Sequence, residues 1–511
     1  RLFQENVVRQ KDEIYIAKTQ QVSEMVGGHP LALRLLASTF DDQVGTSLDQ
    51  YIEDLQSHLP KARDKWTEED RHESLRASFD FTMNSLVKTD EGKELQIALS
   101  RLSVFTAFFF NALAAPILDN GFPVEEKIEE TIDRASKILR ALWERGLLER
   151  TAVSLEDENF YLYRLHPTLD FFAKERLSDS ETVKENYWKS MSNWASIAEE
   201  QIDKQQTVAQ IVFRSLPDLL IAAESKNDYD AALMQLRVSK FLQQFSLYDD
   251  SMRLLEKSRD THQTLNDMEG KGDTLSSMAQ IHLLRGSLDE AMKLCQQSLE
   301  IYEGLGDLPQ KTATTLIGIA QIHVIRGELD KAMKLYQQSL EIFKDLDDQK
   351  GVALTLGEMG GIYFRYGDLD KALENFEQKW SITNQLGDLK EKSIAITNIA
   401  AIYSIRGDLV GAMKLYVGSL EISEALGDLL GKALTLGHIG VMLLNNRYYA
   451  EGLKSSLSAL EIFIKLQAKL EIQNIISTLN QVKEAIGDHV FQKLWWEVTG
   501  SGQLPEWLSK A

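Results

Sequence analysis

The chain holds a single cysteine, Cys295, in 511 residues, so no internal disulfide can form and a zinc site built from several thiolates is excluded. One thiol is compatible with a reducing compartment, and a cytoplasmic location is expected. Positive charge is scarce: 56 Lys and Arg face 77 Asp and Glu, a formal net charge of −21. That balance argues against a general nucleic-acid binder, whose affinity comes from clustered cations releasing counterions, and against docking on an anionic membrane. The run "FTAFFFNALAAPIL" is shorter than the roughly 20 apolar residues of a membrane-spanning helix. With 8 prolines and 43% hydrophobic residues, the composition is that of a mainly helical protein. No G-x-x-x-x-G-K-[ST] string occurs; "GDLPQKT" at Gly306 lacks the second glycine. H-E-x-x-H and G-x-S-x-G are also missing, so no catalytic or metal-binding residue is assigned and the chain is read as non-enzymatic.

What is present is repetition. "GSLDEAMKLCQQSLEIYEGLGD" at Gly286 returns at Gly327, Gly367 and Gly407 in closely similar form, with an eroded copy from Arg447. A fixed period near 40 residues predicts a solenoid whose units bury their apolar faces only by stacking. Each copy has the spacing of two helices. The first carries a small residue (Ala279, Ala320, Gly360, Ala400, Gly440) and a bulkier one three places on; the second carries another small residue (Ala291, Ala332, Ala372, Ala412, Gly452) where two axes approach closely. Glycine between them can end a helix in the left-handed region. Ser287, Glu328, Asp368 and Asp408 stand where the second helices are capped, with Glu the poorer cap. Cys295 replaces the aromatic of Tyr336, Phe376 and Tyr416 and reads as a buried small hydrophobe. These intervals resemble a lengthened tetratricopeptide repeat. The resemblance implies that first helices line a concave groove, placing Asp273, Gln280, Gln321, Phe364, Arg365, Thr397, Ser404 and Asn445 on it. Their mixed polarity suits a protein or peptide ligand.

Ahead of the array the chain divides further. Residues 14–40 read as two helices around "EMVGGHPLALRLLASTF", with Gly27-Gly28 ending one and Pro30 opening the next. Three helical segments, "SLRASFDFTMNSL", "ELQIALSRLSVF" and "ASKILRALWERGLLER", precede "VSLEDENFYL", which reads as a turn between two strands. "GGHPLAL" resembles the GLPLAL motif of the NB-ARC class of signal-transduction ATPases. "RLSVF" and "LHPTLDFFAKERL" resemble the winged-helix segment of that class. The resemblance implies that Pro30 packs on the adenine of ADP and that His166 reaches its β-phosphate, although Pro167 stands where the family has Asp and His29 where it has Leu. Position alone favours reading His166 as a strand-end histidine packed on its own domain; the flanking resemblance is what brings the phosphate role level with it.

The expected fold is mainly all-α: a helical part of an NB-ARC-like module (1–65), a winged helix (66–180), a helical connector anchored by Trp188 and Trp194 (181–230), a degenerate leading repeat (231–270), five tetratricopeptide repeats (271–470) and capping helices with Trp495, Trp496 and Trp507 (471–511). In the leading repeat, Ser246 and Ser251 take the Gly and Ala positions. The chain starts without Met inside a helical pattern, so a longer parent is expected. The implied function is the regulatory and sensor portion of a nucleotide-dependent switch. No cofactor is expected in this chain alone, with ADP or ATP and Mg in the full-length protein, an upstream nucleotide-binding domain as partner and oligomerisation on activation. Two alternatives stand beside it: a constitutive interaction scaffold, and a transcriptional regulator whose winged helix reads DNA. The second is disfavoured because "TIDRASKILRALWERG" mixes acidic with basic residues.

Overall fold

The computed structural model describes residues 13–42, 47–59, 67–155, 158–202, 205–466, 468–501, 503–505 and 508. They form helices throughout, apart from one two-stranded sheet. Contacts divide the chain into two units, one of Arg1–Trp194 with Arg214–Ala222 and one of Ala195–Phe213 with Ala223–Ala511. No described helix is long and apolar enough to cross a membrane.

In the first unit, α1 (Glu13–Met25) and α2 (Pro30–Asp42) are joined by the glycine pair, with φ of +57° at Gly27 and +69° at Gly28. α3 (Leu48–His58) and α4 (Glu68–Leu86) each start with a capping box, Ser47 with Gln50 and Thr67 with Asp70. The Tyr51 hydroxyl donates to the Leu36 carbonyl at 2.6 Å, tying α3 to α2 in the core. α5 (Asp90–Leu102), α6 (Asn111–Leu118) and α7 (Ile128–Glu144) follow. α7 runs through Gly146, at φ +72°, into an antiparallel hairpin of β1 (Leu148–Leu155) and β2 (Glu158–Leu165), in which Ala152 faces Tyr161. α6 is absent from the sequence reading because its residues are apolar without a helical period. Nor does β2 alternate cleanly. Tyr163 is buried because Phe109 adds an outside bridge to it, exchanging backbone hydrogen bonds of 2.8 and 2.7 Å.

α8 (Pro167–Lys174), α9 (Ser180–Gln201) and α10 (Gln206–Glu224) complete the front half. One side chain explains why the middle of α10 belongs to the first unit. Asp218 is buried and accepts the Thr106 N–H (2.7 Å), the Thr106 hydroxyl (2.9 Å), the Ala107 N–H (2.9 Å) and the Tyr187 hydroxyl (3.1 Å). Trp188 and Trp194 are buried, the Trp194 indole donating to Ser215 of α10 at 3.1 Å.

The second unit is a succession of helix pairs. α11 (Tyr229–Gln244) and α12 (Tyr248–Thr264) form the leading pair. Then come α13 (Met268–Leu284) with α14 (Leu288–Leu305), α15 (Pro309–Ile325) with α16 (Leu329–Asp345), α17 (Gln349–Arg365) with α18 (Leu369–Leu386), α19 (Leu389–Ile405) with α20 (Leu409–Leu426), and α21 (Leu429–Asn445) with α22 (Tyr449–Lys465). The small positions are contact points: a Cβ on Gly360 would lie 2.7 Å from Phe376 Cε1, and one on Gly440 2.3 Å from Ser456 Oγ. Tyr336, Phe376, Tyr416 and Cys295 fill the matching interior position. Successive pairs are also linked outside, by Arg285 to Asp249 (2.5 Å), Arg326 to Asp289 (2.6 Å), Tyr366 to Asp330 (2.7 Å) and Arg406 to Asp370 (2.5 Å). These rungs are solvent-facing, so each contributes little beyond register.

Capping differs from expectation. Asp368 and Asp408 cap their helices, but Ser287 makes no side-chain cap bond. The regular caps lie one helix earlier, where Asp267, Asp348, Asp388 and Asp428 accept the third backbone N–H of α13, α17, α19 and α21. In the tail, α23 (Lys469–Ile486) and α24 (Asp488–Thr499) bury Phe491 and Trp495, whereas Trp496 is exposed and Trp507 lies outside the described residues.

Left-handed corners occur at Gly286, Gly327, Gly367 and Gly407, and the eroded copy places Arg447 there at φ +67°. A side chain in that region costs roughly 1–2 kcal/mol, partly offset by the greater unfolded freedom of glycine. Arg447→Gly should therefore raise stability by about 0.5–1 kcal/mol. An unchanged denaturant midpoint would contradict this account of the corner.

Candidate functional site

Two places collect the residues singled out in the sequence. In the first unit, the turn before α2 and the end of β2 come into electrostatic range of each other, although 137 residues separate His29 from His166. His29 accepts the Ala32 N–H through Nδ1 at 3.4 Å, inside the first turn of α2. His166 Nε2 stands 3.9 Å from Glu149 Oε1 on β1, and Glu149 also pairs with Arg164. Burial lowers the affinity of the His29 ring for a proton, and the charges of His166 and Arg71 lower it further. Burial does the same to His166, with Glu149 opposing and Arg164 and Arg34 adding to the effect. Both rings are thus biased to the neutral form, in which an imidazole keeps one N–H donor.

Sequence reasoning missed Arg34 and Arg71. Both are exposed, and among the described residues neither has a carboxylate partner. Arg34 crosses the end of α7, its chain 3.1 Å from where a Cβ on Gly146 would sit. The only sequence signal was the position of Arg34 one turn into α2, on the side of Pro30. Pro30 itself opens α2 and is exposed. Two exposed guanidinium groups without a carboxylate partner among the described residues, Arg71 within electrostatic range of His29 and Arg34 of His166, form a place suited to an anion in a chain of net charge −21.

The second place is the face made by the first helices of the array. Gln280 and Gln321 line a cavity of about 260 Å³ together with Ser276, Leu283, Thr314 and the Cys295 thiol. Gln321 also donates to Glu358 at 3.0 Å. Asp273 is already committed, to the Tyr302 hydroxyl and to Lys311, both at 2.7 Å. Arg365 and Asn445 are exposed at the ends of α17 and α21, and Ser404 is half-buried in α19. Phe364 packs partly into the core between α17 and α18. Thr397 is a correction: it is buried and bonded to Ser419 (2.7 Å) and Thr435 (3.1 Å), because its turn of α19 faces the neighbouring helices and not the groove. Burial pushes the Cys295 thiol up to about 11, the behaviour of a packed thiol and not a reactive one. No group of three or more His, Cys, Asp or Glu among the described residues could hold a metal ion.

The paired helices, small contact positions and stacked interior define a tetratricopeptide-type helical repeat protein. The tetratricopeptide repeat family model matches residues 270–345 and 311–378. Among solved structures, the chain is similar to a signal transduction ATPase with numerous domains carrying a tetratricopeptide repeat sensor, from Pyrococcus horikoshii. Identity is 15%, over 96% of this chain and 65% of that one, with a TM-score of 0.43. The chain therefore spans just under two thirds of that protein's length. It is also similar to a Rap protein complexed with competence and sporulation factor (14% identity, 63% of this chain, 97% of that one, TM-score 0.44) and to BtubC from P. vanneervenii (20%, 47%, 92%, 0.32). At this level the likenesses carry no functional argument. No curated protein matched the chain.

Proposed function

We propose that the chain is the regulatory and sensor portion of a nucleotide-dependent signalling switch. In this reading the array binds a protein or peptide, and the front unit, with its helices and hairpin arranged as a winged helix, restrains an ADP-bound closed state. The observation that carries it is that His29 and His166, from the two resembled motifs, lie within electrostatic range of each other in the first unit, with exposed Arg71 acting on the first and exposed Arg34 on the second. ADP and Mg would be bound mainly by an upstream nucleotide-binding domain; this chain would contribute Pro30 against the base and a neutral His166 N–H to a phosphate oxygen. A bound partner would shift the closed–open balance only by its difference in affinity for the two states.

The test is His166→Ala in the protein extended through its upstream reading frame. Loss of one hydrogen bond to a charged phosphate, about 1.5–3 kcal/mol, should speed release of a fluorescent ADP analogue roughly ten- to a hundredfold. Unchanged release, or an upstream frame without a P-loop, would sink the proposal.

A further inference from the structure

One contact within the second unit joins parts of the array that are far apart in sequence. The corner between α11 and α12 meets the corner that leads into α21, and Lys390 and Glu471 at the starts of α19 and α23 lie within electrostatic range of it. A Cβ on Gly427 would lie 3.7 Å from Phe245 Cε1, and Phe245 is buried. Leu426 is 1% exposed, whereas Leu305, Leu346 and Leu386, at the same place in earlier repeats, are 44%, 42% and 40% exposed. Asp388 and Asp428 are buried as well, while the equivalent Asp307 is exposed and Asp348 half-buried. Tyr248, just beyond Phe245, is buried; Asp428, Lys390 and Glu471 all lie within electrostatic range of its hydroxyl. The buried apolar cluster that includes Leu236, Tyr248 and Leu255 continues into Ala433, Ala468 and Leu479. The leucine is covered at Leu426 and Leu466 and stays exposed at Leu386, so something not periodic in the array must produce the covering, and Phe245 with Tyr248 lies against the Leu426 corner.

The two edges of the array differ in kind. Phe245 and Tyr248 sit at a corner from a first to a second helix, whereas Leu426, Asp428 and Glu471 sit at corners from a second helix to the next first helix. Corners of these two kinds lie on opposite edges of a helical-hairpin solenoid, so their meeting brings one superhelical turn against the next. That narrows the sideways opening into the groove between turns. The contact is also imperfect: Glu471 Oε2 is buried and has no hydrogen-bond partner among the described residues. A buried unsatisfied oxygen offsets part of the apolar gain, which leaves a closure that can open without unfolding the repeats.

We infer that the contact of Phe245 and Tyr248 with Leu426, Gly427 and Asp428 is a clasp that regulates lateral access to the groove. The gating role rests on the reading of the array as a partner-binding groove; the clasp itself does not. Opening it lengthens the pitch and exposes the face carrying Gln280, Gln321 and the Cys295 cavity; closing it requires entry along the groove axis.

Leu426→Glu should open the clasp, and Leu346→Glu, at an exposed equivalent position, is the folded control. Spin labels on Leu247→Cys and Leu429→Cys, with Cys295→Ser, should give a narrow short distance that becomes long and broad when Leu426→Glu is added and stays short with Leu346→Glu. In chains that keep Cys295, reaction with N-ethylmaleimide should quicken several-fold with Leu426→Glu and not with Leu346→Glu. Phe245→Ala, a milder change, should move both readouts in the same direction and serves if Leu426→Glu does not fold. A long distance in the parent chain, or a short one that survives both changes, overturns the clasp. A distance that lengthens with no change at Cys295 overturns the gating. An array that bound no partner would leave the distance result standing and remove only the function proposed for the groove.

Discussion

Replacing Asp218 with alanine should destabilise the first unit by about 3 kcal/mol or more, and lower its melting transition by on the order of 10 °C. The carboxyl serves two backbone N–H groups and two hydroxyls at once, and it does so from a buried place. Burial holds it above its ordinary pKa, with the four donors opposing, so its worth lies in those donors and not in a favourable charge. Truncation leaves the buried Ala107 N–H and the Thr106 N–H and hydroxyl without their acceptor, while the Tyr187 hydroxyl keeps the Asp218 carbonyl at 3.1 Å; stranding donors is costlier than removing donors and acceptor together. Thermal unfolding followed by near-ultraviolet circular dichroism reads the effect through Trp194, whose indole donates to Ser215 of the same helix, α10. A shift of only one or two degrees would mean that water takes over the acceptor role.

The second large effect is expected at Lys379. Three repeats carry Ser298, Ser339 or Ser419 at this position and the last carries Ala459, while three carry Gly270, Gly351 or Gly431 where Glu391 stands. The third repeat has Lys379 instead, 4% exposed, with its Nζ 2.6 Å from Glu391 Oε2. Gly357 makes the room: a Cβ there would lie 2.7 Å from Lys379 Cδ. Lys379→Ala would strand the Glu391 carboxylate, and breaking a buried pair costs about 3–5 kcal/mol. The double change Lys379→Ser with Glu391→Gly restores the pattern of the other repeats and should recover most of the loss, a coupling measurable in a double-mutant cycle. Burial works to raise the Glu391 carboxyl, but Lys379, with Lys390 and Lys350, holds it below the ordinary carboxylate value. The folded pKa is thus depressed. The pair's contribution is present above the unfolded value near 4.3 and is lost as pH falls through the lower folded value. Equal midpoints at pH 7 and pH 3 for wild type relative to the double variant would refute it.

Both residues show where sequence reading stops. Lys379 breaks the repeat visibly, yet nothing in a linear string says that Glu391, in the next repeat, is its partner or that Gly357 clears its path. Asp218 lies in a stretch without periodicity, and its donors are 31, 111 and 112 residues away. The groove shows the same limit on a smaller scale. Gln280 and Gln321 line a cavity, but Thr397, one turn away in repeat register, is drawn into the interior by Ser419 and Thr435.

By itself the sequence determined the helix pairs, their glycine corners, their small contact positions and the order of the front segments, because those features rest on local spacing and backbone preference that recur every 40 residues. Only the tertiary structure decided which charges are buried and paired, that Arg71 comes within electrostatic range of His29 and Arg34 of His166, and that Leu426 is covered while Leu305, Leu346 and Leu386 are not. These depend on distances between residues far apart in the chain, set by how the stacked helices bring them together, and no local pattern encodes that.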